Sequence, residues 1–233
     1  SDLLLANETV DPVRLRAMAS LLNNSRITVA IDSDVTARMA AENGIKDVLI
    51  DVNVGMPRCG VLPDRAATLA AFAVSLGLNV RGVMGYEGHL MAVADRDEQR
   101  AKVRSAMGVL VECFDQVRAQ SGDDCTIISA GGTGTFDLYD PSDPLLARVN
   151  EVQAGSYALM DSHYGALELP FVQALYVVGT VISVSDSWAV IDVGLKSLGM
   201  DHGNPTIDGA SVWFCSDEHI TFSMKDGRPL PGI

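Results

Sequence analysis

What most constrains the fold is an alternation: short apolar runs rich in β-branched residues trade places with helical stretches from Leu3 to about Pro170, and then the alternation stops. Leu3 to Ala6, RITVAID from Arg26, DVLIDVNVG from Asp47, NVRGVMG from Asn79, CTIIS from Cys125 and EVQ from Glu151 read as strands. Between them, Asp11-Pro12 reads as N-cap and first residue of a helix through Leu22, and Asp34 as the cap of a helix ending at Gly44. Pro63-Asp64 opens a helix stopped by Gly77, and Asp95 to Gln120 makes the longest one. Strands joined by helical crossovers, at roughly 25 to 35 residues per unit, pair in parallel and give a barrel or a doubly wound sheet. No dinucleotide glycine fingerprint opens a helix near the first strand, which favours the barrel.

Beyond Pro170, ALYVVGTVISVSDSWAVIDVG and ASVWFCSDEHITFSM are β-rich with turn signals at Ser185-Asp186 and Asp208-Gly209 and no helical period. The expectation is an incomplete TIM-type (β/α)8 barrel over residues 1–170 and part of an antiparallel β domain over 171–233. A net charge of −13 in 233 residues repels polyanions, which argues against nucleic acid and anionic membrane as partners. No apolar run reaches the roughly 20 residues of a membrane span. Four cysteines without CxxC spacing fit reduced thiols and a cytoplasmic protein.

Two strand ends stop abruptly at glycine. SAGGTGTFD from Ser129 offers the backbone N–H groups of Gly131, Gly132, Thr133 and Gly134 with one hydroxyl, and EVQAGS from Glu151 offers Gly155 and Ser156. Each is read either as a tight turn or as half of a phosphate cradle; paired at neighbouring strand ends, they favour the cradle. In DVLIDVNVG, Asp51 and Asn53 share one face near the C-terminal end, the functional end of a parallel barrel strand. Arg58 in GMPRCGV and Tyr86 with His89 in GYEGHLM follow the ends of their own strands. Arg58 suits a carboxylate or the neighbourhood of a cofactor ring, or is a solvated loop arginine. Histidines 89, 163, 202 and 219 never fall in metal-ligand spacing.

Taken in order, GMPRCGV, GYEGHLM, SAGGTGTFD, EVQAGSYALMD, VIDVGLKSLGMDHG and SDEHI resemble the D-threonine aldolase, D-serine dehydratase and 3-hydroxyaspartate aldolase group of pyridoxal-phosphate enzymes with an alanine-racemase-like barrel. The resemblance implies that Gly132, Thr133, Gly134, Gly155 and Ser156 bind the phosphate of pyridoxal 5'-phosphate and that Arg58 and Tyr86 stand beside its ring. It implies that Gln153 occupies the place of an arginine that alanine racemases set against the ring nitrogen. It further implies a homodimer, a small D-3-hydroxy amino acid as substrate, and a divalent metal (Mn, Mg or Zn) held by a motif just past Ile233. The family's cofactor-anchoring lysine is expected upstream of LLLANE, so no catalytic residue is assigned, and Lys46, Lys102, Lys196 and Lys225 stand elsewhere. The chain reads as an internal fragment of a lyase, aldolase or dehydratase. The alternatives are a non-catalytic pyridoxal-phosphate carrier, against which the β-rich tail counts, and an amino-acid racemase, against which Gln153 counts.

Overall fold

The computed structural model describes residues 1–201 and 203–225, so His202 lies outside the described residues. Two compact units, Ser1–Gly155 and Ser156–Ile233, make up the chain. In the first, β1 (Asp2–Leu5), β2 (Arg26–Ile31), β3 (Asp47–Asp51), β4 (Asn79–Gly85), β5 (Ile127–Ala130) and β6 (Glu151–Val152) form one sheet. Every neighbouring pair is parallel and the spatial order is the chain order. A doubly wound sheet reverses direction at a switch point; this sheet never does, which is the winding of a barrel.

The helices α1 (Pro12–Ala19), α2 (Asp34–Glu42), α3 (Ala66–Ser75) and α4 (Arg96–Ser121) are the crossovers. Asp11 caps α1, its side chain accepting from the amides of Val13 and Arg14. The helix stops at Ala19 rather than Leu22, because the amides of Leu21 and Leu22 turn back to Met18 and Ala19 in tighter three-residue turns. Asp34 is not the cap of α2. Extended Ser33 is, in a reciprocal capping box with Thr36, while Asp34 is the first helical residue, where its charge suits the helix dipole. Along α4, Val103, Met107, Leu110, Phe114 and Val117 recur every three or four residues and are all buried.

Both faces of the sheet are apolar. Val48, Ile50, Val80, Val83 and Ile128 pack under the helices, and Ala30, Leu49 and Met84 with Leu4 and Ile127 cluster on the opposite face. Each fully buried aliphatic side chain contributes about 1.5 to 3 kcal/mol relative to exposure. Between Val48 and Leu49 the register to β4 shifts, leaving Arg81 as an extra residue. The bulge turns Arg81 onto the second face, where it donates to both oxygens of Asp2 (2.9 and 2.8 Å) and to Thr28 Oγ1 (2.6 Å). Nearby, Arg26 grips Asp47 through Nε and Nη2 (2.9 and 2.8 Å) and Asn79 adds a 2.6 Å bond. Burial raises the Asp47 carboxyl, but Arg26 and Asn79 outweigh it and hold the group below its usual range. These polar clamps sit at the strand N-terminal ends, the end that in such barrels serves stability.

In the second unit, β7 (Val181–Val184), β8 (Ala189–Ile191), β10 (Ile220–Met224) and β9 (Ala210–Cys215) form an antiparallel sheet in that order. Ser185 N–H donates to Trp188 O and Ser216 N–H to His219 O, closing two hairpins. Ala189, Ala210 and Phe222 are its buried centre. The ALYVVG run joins no strand ladder, so the β signal there is narrower in the structure than in the sequence. Among the described residues no helix is long and apolar enough to cross a membrane.

Candidate active site at the strand ends

The loop leaving β5 lies at the C-terminal end of the sheet and is closely packed. Gly131 has φ +80°, and a β-carbon there would meet the Tyr139 ring at 2.7 Å, so only glycine turns the chain here. Gly132, Thr133 and Gly134 are buried. A β-carbon at Gly132 would come within 2.9 Å of Met91 Sδ and 3.2 Å of Tyr86, and one at Gly134 within 2.3 Å of Met91 O. The Gly132 amide donates to Thr135 Oγ1 at 3.2 Å. On the carbonyl side, Gly134 O accepts from Gln99 Nε2 (3.2 Å) and Arg96 Nη1 (3.1 Å), both reaching in from the first turn of α4.

Under the amide side lies Glu87, fully buried just after β4. Its Oε2 accepts from Gly131 N–H at 3.1 Å, and its Oε1 from Thr135 Oγ1 and Tyr139 OH, each at 2.7 Å. Burial first, then the neighbouring Glu87 carboxyl, push the Tyr139 hydroxyl far above its usual range, so it keeps its proton and donates. Glu87 and Thr135 stand inside GYEGHLM and SAGGTGTFD, but the sequence assigns them no role there, and Gln99 lies in no motif. The one available signal was a glutamate inside an otherwise apolar and glycine-rich strand end, GYEG.

Tyr86 links this loop to Arg58, whose guanidinium lies 5.1 Å from the Tyr86 ring centroid. Beyond Arg58 is an acidic knot. Asp51, at the last position of β3, is 5% exposed, and burial pushes its carboxyl up to about 8, with the Glu8 carboxyl as hydrogen-bond partner and like charge, Asp32 adding and Arg58 opposing. The Cys59 thiol is raised too, first by its bond to Glu8 and then by burial. Glu8, Asp32 and Cys59 bring one oxygen or sulfur each within 4.8 Å of one another. Glu8 and Asp32 follow β1 and β2, so parallel pairing gathers residues that no local pattern connects. Asn53, read with Asp51 as one polar face, instead shapes its own loop: Oδ1 accepts from Gly55 N–H (2.9 Å) and Nδ2 donates to Met56 O (3.0 Å).

After β6, Gln153 N–H donates to Ala130 O (3.0 Å) and Gln153 Nε2 to Ser129 Oγ (2.9 Å). Ser129 spends its single proton on Glu151 Oε1 at 2.6 Å, so it can only accept from Gln153. That fixes the amide: Nε2 faces Ser129 and Oε1 is the outward acceptor. At Gly155 a β-carbon would meet nothing within 4 Å, unlike the packed glycines of the β5 loop. Ser156 opens a short turn, Ser156–Ala158, in the second unit and is exposed. Arg58, Tyr86 and the Gly132 loop are thus joined by contact, and Gln153 is tied to the same strand end through Ser129 and Ala130.

The other candidates take structural places. His89 Nε2 lies where a β-carbon on Gly55 would be 3.0 Å away, packed against that loop. Lys102 pairs with Glu98 and Lys196 with Glu218, both on the surface, and Lys46 and Lys225 are exposed. A cleft of about 380 Å³ within the second unit, lined by residues such as Met160, Tyr176, Leu198 and Ile207, has Asp161 and Asp201 as its charged groups among the described residues. The convergence of reactive groups is at the strand ends.

A parallel sheet wound in chain order, with a glycine loop and an arginine-tyrosine pair at its C-terminal edge, defines a barrel-type domain. Residues 4–163 match the family of alanine racemase N-terminal domains, and the chain belongs to that family. Over its whole length it is 33% identical to a D-threonine aldolase from an Arthrobacter species, and over 97% of it 29% identical to a 3-hydroxy-D-aspartate aldolase from Paracoccus denitrificans. The crystal structure of the D-threonine aldolase from Filomicrobium marinum superposes with a TM-score of 0.84 over 97% of this chain, at 33% identity. The chain spans 64% and 62% of the two curated relatives and 64% of the crystallised one.

Proposed function

We propose that the chain is the cofactor-holding part of a pyridoxal-phosphate lyase acting on D-3-hydroxy amino acids, by aldol cleavage or by β-elimination. The observation that carries this reading is the pair of glycine ends on adjacent strands β5 and β6, with Arg58 against Tyr86 beside them. Resemblance to aldolases of such substrates supplies the chemistry. The residues fit the cofactor on one count that does not depend on resemblance: Gly155 leaves room in front of its backbone that a side chain would fill.

In this reading Gly132, Thr133, Gly134, Gly155 and Ser156 hold the phosphate, Gly132 by shaping the loop, since its amide is given to Thr135 Oγ1, while Arg58 and Tyr86 border the ring. Bound pyridoxal phosphate supplies an electron sink for charge developing at the substrate α-carbon. Gln153 bears on which reaction that serves. An arginine keeps a facing ring nitrogen unprotonated, whereas Gln153, with Nε2 held by Ser129, offers Oε1, an acceptor that favours a protonated nitrogen. That supports the lyases over the racemases. No step runs through a divalent metal: the three-ligand grouping among the described residues, Glu8, Asp32 and Cys59, mixes two hard carboxylates with one soft thiol, and neither Arg58 nor the glycine loop belongs to it. A homodimer and a cytoplasmic setting belong to the proposal through the resemblance alone.

The test is turnover by the full-length protein supplied with pyridoxal phosphate and a divalent metal. Cleavage or dehydration of D-threonine, D-serine or D-3-hydroxyaspartate should outrun racemisation of D-alanine by about a hundredfold or more, equivalent to about 2.7 kcal/mol in barrier. Dominant alanine racemisation contradicts the lyase reading, and cofactor binding without turnover of any of these substrates favours a carrier.

A further inference from the structure

We propose that Glu87 is the positioning residue of the phosphate loop, setting the orientation of its backbone donors without touching the cofactor. The inference rests on the reading of that loop as the phosphate cradle and adds a residue that neither the sequence motifs nor the resemblance assigns.

A carboxyl group with no exposed surface is costly to bury and persists where donors surround it. Here the three donors come from the two ends of one loop and its continuation: Gly131 N–H on Oε2, Thr135 and Tyr139 hydroxyls on Oε1. The first bond holds Gly131 in its positive-φ turn as the chain leaves β5. The second orients Thr135, whose oxygen then accepts from the Gly132 amide. Gln99 and Arg96 pin the Gly134 carbonyl from the side of α4. Residues 131 to 135 are therefore fixed at both ends by one carboxyl and at the carbonyl side by a helix, which presets the directions of the amides between. Preset donors bind an anion without the cost of ordering them at the moment of binding.

The probes are pyridoxal phosphate and pyridoxal, which differ only in the phosphate, titrated into the cofactor-free full-length protein by equilibrium dialysis. Glu87→Ala, checked for native circular dichroism, should lose about tenfold or more of the preference for pyridoxal phosphate over pyridoxal, with the affinity for pyridoxal nearly unchanged. Glu87→Gln preserves the shape and can still accept from Gly131, so it should restore the preference to within about threefold of wild type. A residue that mattered only to stability would lower the melting temperature and leave that ratio alone. Should Glu87→Ala not fold, Thr135→Val cuts the link to the Gly132 amide at constant volume and should lower the same ratio. Wild-type preference in folded Glu87→Ala or in Thr135→Val overturns the inference while leaving the proposed function standing. Equal affinity of the wild-type chain for the two probes overturns the phosphate cradle itself, and this inference with it.

Discussion

Asp51 ends β3 inside a knot of acids, buried beside Glu8 and Asp32. Its carboxyl is pushed up to about 8 by burial and by Glu8, against an unfolded value of about 3.9. A carboxyl whose folded value is raised binds its proton more tightly in the native state, so its stability is fully present below about pH 4 and is lost progressively as the pH climbs to about 8. Asp51→Asn removes that proton dependence and keeps a donor for Glu8. Urea melts should show the variant matching wild type at pH 4 and exceeding it by more than about 1 kcal/mol at pH 8. Parallel stability curves across that range would show that Asp51 ionises freely. In the sequence, Asp51 was legible as a polar residue at a strand end. Its partners were not, because Glu8 and Asp32 reach it only through strand pairing across β1, β2 and β3.

At the scale of elements, β4 does the most to place the site, since it carries Arg81 at one end and Tyr86 and Glu87 just past the other. The sequence marked it as a strand but not as a bulged one. Strict alternation predicts opposite faces for Val80 and Val83, and the structure packs both under the helices. The interior glycine was the only hint, and such a glycine signals either a bulge or a close backbone approach. Here it is both: at Gly82 a β-carbon would lie 2.0 Å from Ile127 O of β5. Gly82→Ala should therefore cost about 3 kcal/mol or more, in the severe range for one substitution, by parting β4 from β5. A urea midpoint within about 0.5 kcal/mol of wild type would mean that β5 yields easily. Helix starts were read better than helix ends: Asp11 caps as expected and the longest helix opens at Asp95, which the structure makes its N-cap, whereas Ser33 displaces Asp34, because adjacent Ser and Asp compete for one cap and only geometry decides.

For the whole molecule, the parallel barrel-type sheet and the antiparallel β unit were both legible, since crossover spacing and the switch from helical to alternating patterns are long-range signals. The strand-end glycines, Arg58 and Tyr86 were legible as candidates, whereas the buried polar residues packed around them were not. The account's central claim is that this family member grips pyridoxal phosphate by its phosphate at the paired ends of β5 and β6. Gly155 tests it most cleanly, because a β-carbon there would meet no protein atom within 4 Å, so the fold should be left intact. Equilibrium dialysis of pyridoxal phosphate against wild type and Gly155→Val should show at least about tenfold weaker binding in the variant, roughly 1.4 kcal/mol, at an unchanged melting temperature. Equal affinity in the two proteins would contradict the claim and move the phosphate away from β6.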